Sequence, residues 1–200
     1  MRMEVVLVVF LMFIGTINCE RLIFNGRPLL HRVTKEETVM LYHELEVAAS
    51  ADEVWSVEGS PELGLHLPDL LPAGIFAKFE ITGDGGEGSI LDMTFPPGQF
   101  PHHYREKFVF FDHKNRYKLV EQIDGDFFDL GVTYYMDTIR VVATGPDSCV
   151  IKSTTEYHVK PEFAKIVKPL IDTVPLADMS EAIAKVVLEN KHKSSEHDEL

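Results

Sequence analysis

The sequence predicts an α+β domain: a curved antiparallel sheet of seven strands, two short helices early in the chain, and one long C-terminal helix covering the concave face. Between residues 78 and 158, six strand-like runs are separated by short breaks rich in glycine, proline and aspartate, and breaks that short join antiparallel neighbours. Residues 161–191 carry apolar side chains at helical spacing, among them Phe163, Val167, Leu170, Ile171, Val174, Met179, Ile183 and Val187. A composition of 45% hydrophobic and 26% charged residues over 200 positions fits one globular domain with processed ends.

The chain opens with Arg2, an apolar run over 5–15 and then Thr16-Ile17-Asn18-Cys19. A basic start, a short apolar core and a small residue at the cut describe a secretory signal peptide spanning 1–19. The run falls short of the ~20 residues of a membrane span, so no stable membrane insertion follows cleavage. Residues 20–37 are basic and read as an irregular, flexible extension, and the main domain is expected over 38–191. An extended segment at 39–48 is followed by Ser50 and Glu53, a capping box that starts a helix at Ala51. Ser60 before Pro61 caps a second helix, which ends before Pro72. Strands are expected at 78–82, 89–95, 104–111, 116–124, 132–144 and 149–158, with a glycine-containing break over 125–131. In the last helix, Pro169 and Pro175 are expected to bend the axis or split off its first turns. The tail, 192–200, ends His197-Asp198-Glu199-Leu200, a retrieval signal for the endoplasmic reticulum lumen.

A net charge of −13 argues against a nucleic-acid partner and against docking on anionic lipid. Only Cys19 and Cys149 are present, and Cys19 leaves with the signal, so no internal disulfide forms and Cys149 reads as a buried strand residue. The run from Gly83 to Gly88 has the spacing of a dinucleotide-binding loop, but a strand rather than a helix follows it, so a tight hairpin is expected. His102, His103 and His113 lack a recognisable ligand spacing, and no metal is expected.

The candidate site comes from strand alternation. Tyr104, Glu106, Phe108 and Phe110 share one face of their strand, with Arg105 and Lys107 on the other. Asp137 shares a face with Tyr135, Ile139 and Val141. Carboxylates on apolar faces are rare unless paired or functional. For Lys118 the pattern leaves the face open, because Tyr117 and Leu119 compete for it. A cavity holding Tyr, Glu, Lys and Asp suits general acid–base catalysis.

The glycine run before a strand, with the long C-terminal helix, resembles the pathogenesis-related class 10, birch-pollen-allergen-like family over residues 39 to 190. The string from His66 to Pro72, Asp92-Met93-Thr94-Phe95, and the strings 130–138 and 155–163 extend the likeness to that family's alkaloid-forming enzymes. The resemblance implies a helix-grip fold and a cofactor-free, metal-free Pictet–Spengler condensation of dopamine with 4-hydroxyphenylacetaldehyde to (S)-norcoclaurine. It implies catalytic roles for Tyr104, Glu106, Lys118 and Asp137, turns Lys118 inward, and makes Met93, Phe108 and Met179 candidate apolar walls. One departure is Gln99, where some members carry glutamate. The alternative is a carrier of hydrophobic plant metabolites, which has no need of Lys118 and Glu106 together in an apolar pocket. A homodimer is left open.

Overall fold

The computed structural model describes the backbone of residues 21–24, 27–30 and 35–198, and side chains over 35–193. The expected signal peptide lies outside the described residues, as do Glu199 and Leu200. The chain divides into residues 1–34 and 35–200.

In the first unit, β1 (Arg21–Phe24) pairs antiparallel with β2 (Arg27–Leu30), Arg21 opposite Leu30. This corrects the expectation of an irregular extension. Asn25-Gly26 lies between the two runs in the sequence and is a strong local hairpin signal.

In the second unit, seven strands form one antiparallel sheet: β3 (Glu37–Val47), β4 (Lys78–Thr82), β5 (Ile90–Thr94), β6 (His103–Asp112), β7 (Tyr117–Gly125), β8 (Val132–Gly145) and β9 (Ser148–Val159). Their order is β3-β9-β8-β7-β6-β5-β4. Strands β4 to β9 are successive neighbours, while β3 crosses over to pair with β9, Val47 opposite Cys149. Cys149 is buried and unpaired there, as a strand residue should be. The glycine run makes the β4–β5 hairpin, where Gly85 adopts φ +87 and a Cβ would lie 2.0 Å from the Pro61 carbonyl oxygen.

Helix α1 (Ala51–Glu58) begins at the expected capping box, with both reciprocal bonds between Ser50 and Glu53 formed. The second expected helix is two pieces, α2 (Pro61–Leu65) and α3 (Leu67–Leu70), divided at His66. Pro68 lacks an N–H and its ring would clash with the carbonyl four residues back, so one continuous helix cannot form. The break after β7 holds a further short helix, α4 (Asp126–Asp129), between Gly125 and Gly131, both at positive φ.

The C-terminal segment splits where its prolines predict: α5 (Pro161–Val167), a 3₁₀ turn (Lys168–Leu170) and α6 (Val174–Asp198). The apolar stripe is therefore not continuous. Val167, Ile171, Ile183 and Val187 are buried, whereas Phe163, Leu170 and Val174 are exposed. Helix α6 also continues past 191, because 192–198 contain no glycine or proline to stop it. One core cluster sits between the sheet, α1 and α6, around Val54, Leu91, Ile151 and Ile183; a second gathers Phe127, Tyr157, Val159 and Val167 beside α5.

Strand β6 departs from simple alternation. Phe108 pairs with Val120 but Phe110 with Leu119, so Val109 is an extra residue in the ladder. Such a bulge reverses the facing of the residues beyond it. Phe110 therefore points outward, 38% exposed, and Phe111 packs on the core in its place. The expectation that Phe110 shares the inner face is corrected. A second irregularity lies between Arg105 and Glu106, which pair with Asp124 and Gln122 respectively, and skips Ile123.

Candidate active site

The sheet's concave face and the start of α6 enclose a cavity of about 130 Å³. Its apolar wall includes Leu91, Met93, Phe108, Val120, Ile139 and Met179. Tyr104, Glu106, Asp137 and Glu58 also line it. A second cavity of about 330 Å³ shares Tyr104 and Glu106 and adds Gln99, Gln122, Phe127 and Tyr135. Tyr104 and Glu106 thus stand between two chambers. Pro175, in the first turn of α6, borders both, so the split in the C-terminal helix places that helix's start over the site.

Lys118 is inward, with Val120 and Gln122 buried on the same face and Leu119 only partly covered. It is 4% exposed, and its Nζ lies 2.7 Å from Glu58 Oε1. Nζ also donates to the Glu58 main-chain carbonyl at 3.1 Å. The ammonium rests against the rings of Phe108 and Phe111, at 5.4 and 5.9 Å from their centroids. Phe111 reaches that position because of the bulge at Val109. Lys118 does not itself border the cavity, whereas Glu58 does.

Sequence reasoning missed Glu58, and a signal for it was present. Ala51, Val54, Trp55 and Glu58 fall at i, i+3, i+4 and i+7, one face of α1, and all four are buried. A carboxylate at the end of an apolar helical stripe needs a partner for the same reason that one on an apolar strand face does.

Asp137 is 8% exposed and accepts a hydrogen bond from Thr155 Oγ1 at 2.5 Å on the neighbouring strand. Burial pushes its carboxyl up to about 7 against the opposing pull of that bond. Burial first, and then the Asp137 charge, push Glu106 up to about 8, with the Lys118 ammonium acting the other way. Burial and nearby carboxylates likewise hold the phenols of Tyr104 and Tyr135 well above the ordinary tyrosine range. Two carboxyls raised this way, beside an ion pair that satisfies itself, can each hold or release a proton near neutral pH. Among the residues lining the two cavities, Ser153 Oγ at the first and Gln122 Nε2 at the second are buried without a hydrogen-bond partner.

The structure thus brings Tyr104, Glu106 and Asp137 together with Met93, Phe108 and Met179 around one cavity, and sets Lys118 behind its wall through Glu58. His102 and His103 instead meet Asp126 and Asp92. Among the described residues no group of three or more His, Cys, Asp or Glu is gathered as a metal site.

The family model described as "Pathogenesis-related protein Bet v 1 family" matches residues 37–190. The chain is 63% identical to the S-norcoclaurine synthase of Thalictrum flavum subsp. glaucum, over 98% of this chain and 94% of that protein. It is 42% identical to S-norcoclaurine synthase 2 of Papaver somniferum, over 84% and 73% of the two chains. A crystal structure of the Thalictrum flavum norcoclaurine synthase in complex with dopamine and hydroxybenzaldehyde superposes with a TM-score of 0.76 at 62% identity, covering 85% of this chain and 97% of that one.

Proposed function

The chain belongs to the pathogenesis-related protein Bet v 1 family, and from that premise we infer that it catalyses the stereoselective Pictet–Spengler condensation of dopamine with 4-hydroxyphenylacetaldehyde, giving (S)-norcoclaurine and water in benzylisoquinoline alkaloid synthesis. The observation that carries this reading is the gathering of Tyr104, Glu106, Asp137 and Glu58 at one cavity, with Lys118 paired to Glu58 behind its wall, in a chain so similar to an S-norcoclaurine synthase.

The chemistry assigns work to each group. The amine adds to the aldehyde carbon, and the resulting carbinolamine loses its hydroxyl as water once an acid protonates it. Asp137, holding a proton up to about pH 7, supplies it and leaves an iminium. The catechol ring then attacks the iminium carbon, forming the carbon–carbon bond. Glu106, in its ionised form, takes the ring proton and aromaticity returns. Lys118, held behind the wall by Glu58, adds positive charge to the site as the ring gives up electron density. Tyr104 hydrogen-bonds and shapes the site, while Met93, Phe108 and Met179 orient the aldehyde's aromatic ring. The overall reaction is redox-neutral, so it calls for no redox cofactor.

The test is to incubate the purified protein with both substrates and resolve the product by chiral chromatography. The uncatalysed reaction gives a racemate, so a large (S) excess is the expected result. A racemate formed at the buffer rate would overturn the reading and leave the carrier.

Residence in the endoplasmic reticulum lumen is part of the proposal, supported by the apolar run over 5–15 and the ending His197-Asp198-Glu199-Leu200. Cell fractionation with and without those four residues tests it. Loss of the lumenal pool on deletion is expected, and an unchanged distribution refutes it.

A further inference from the structure

Glu58 lies outside the set of acid–base residues given above, yet its contacts decide what Lys118 can do. An ammonium carries three N–H donors. Glu58 takes two of them, one with carboxylate Oε1 at 2.7 Å and one with its own carbonyl at 3.1 Å, which leaves a single N–H uncommitted. The phenyl rings of Phe108 and Phe111 pack against the same ammonium and restrict where it can swing. Both charged side chains are almost wholly buried, 5% and 2% exposed, so water screens the pair little.

We propose that Glu58 is a positioning residue for the condensation: it fixes Lys118 behind the cavity wall through two hydrogen bonds and neutralises its charge, so that Glu106 and Asp137 are left to exchange protons. This rests on the condensation inferred above. Without Glu58 the lysine becomes an uncompensated buried cation, and its charge acts on the cavity carboxyls unopposed. The Lys118 charge already favours ionisation of Glu106, and freeing it strengthens that effect. The titratable groups that share Glu106's two cavities are Tyr104 on its own strand, Tyr135 and Asp137 on β8, Glu58 from α1, and Asp172 and Asp178 from the C-terminal segment, while Lys118 on β7 acts on Glu106 from behind the wall. Of these, Lys118 is the only cation.

The test is a double-mutant cycle on the full chain, Glu58→Gln and Lys118→Ala, followed by kcat, KM and the pH dependence of kcat/KM for (S) product. In the wild-type background Glu58→Gln should lower kcat by about 10²-fold with KM little changed, the scale of a misplaced catalytic group. It should also move the rising limb of the profile, set by ionisation of Glu106, to lower pH. In the Lys118→Ala background the same substitution should cost less than about twofold and move nothing, because the effect acts through the lysine. Equal losses in both backgrounds, or a fall in rate with the limb fixed, would overturn the proposal. If Glu58→Gln does not fold, as read by circular dichroism, Glu58→Asp replaces it: the charge is kept, so the limb should stay while kcat falls, and an unchanged kcat refutes. A wild-type protein that makes only racemate defeats the underlying reaction instead, so the two failures are distinguishable.

Discussion

The two raised carboxyls make a prediction about stability that is independent of turnover. Asp137 titrates near 7 and Glu106 near 8, against ordinary values of 3.8 and 4.5. Between about pH 5 and 7 the folded protein therefore binds more protons at these positions than the unfolded chain does, and stability must fall as pH rises. Below about pH 3 both carboxyls are protonated in either state and the loss vanishes; above about pH 9 it is complete. Each proton is worth about 1.4 kcal/mol per pH unit at most. The carboxyls border cavities and influence each other, so about half that slope is a fair expectation, or 2–3 kcal/mol for both groups between pH 5 and 7. For a domain of this size the change in Tm is about 5–10 °C. The perturbation is the pair Glu106→Gln and Asp137→Asn, which removes both titrations and keeps shape. The assay is thermal unfolding at pH 5, 6, 7 and 8, read as the variant minus the wild type so that other titrating groups cancel. The difference should grow in the variant's favour with pH, giving an inactive protein more stable than the active one at pH 8. A difference constant across the range would refute the reasoning, because it would mean that these carboxyls ionise in the folded state as they do in water.

Lys118→Ala should lower (S)-product formation by about 10²–10⁴-fold and stability by about 3–5 kcal/mol in urea unfolding, since Glu58 is left buried and unpaired. Glu58→Met combined with Lys118→Met should recover stability without activity. Thr155→Val removes the hydrogen bond that favours ionised Asp137, so the pH at which Asp137 loses its proton should rise, visible as an upward shift of the falling limb of kcat. Gly85→Ala should cost about 1–3 kcal/mol in the same urea assay, because φ +87 and the Pro61 carbonyl both oppose a Cβ. Activity per folded molecule should be kept, as Gly85 lies outside both cavities.

What could be read from the chain before its structure follows from the range of the interactions concerned. The capping box at Ser50 and Glu53 and the split at Pro169 and Pro175 are written within four or five residues, and both appear where the sequence puts them. Asp137 was legible because β8 alternates without interruption from Tyr135 to Val141. The facing of Phe110 was not, since the bulge at Val109 is a mismatch between β6 and β7, and neither strand alone records it. Lys118 stayed undecided for a related reason. Three large side chains compete along β7, and what settles the contest is an anion on a helix 60 residues away in sequence. Its partner Glu58 is hard to read locally because acidic residues near a helix end usually face water, whereas this one is buried.

That partnership also bears on why such a cavity persists. An ion pair this buried gains little over a well-packed apolar pair of similar size, and two carboxyls held protonated near neutral pH cost stability outright. A cavity that only had to store hydrophobic metabolites would be more stable with leucine or methionine at 58, 106, 118 and 137. Buried carboxyls at 58, 106 and 137, with an ammonium paired to the first, make sense beside a largely apolar wall when protons must move inside the cavity. The stability lost at these positions is then a quantity to measure alongside the chemistry: substitutions that raise Tm at pH 8 should be those that remove (S) product. A variant at Glu106 or Asp137 that lost activity without gaining stability would break that link.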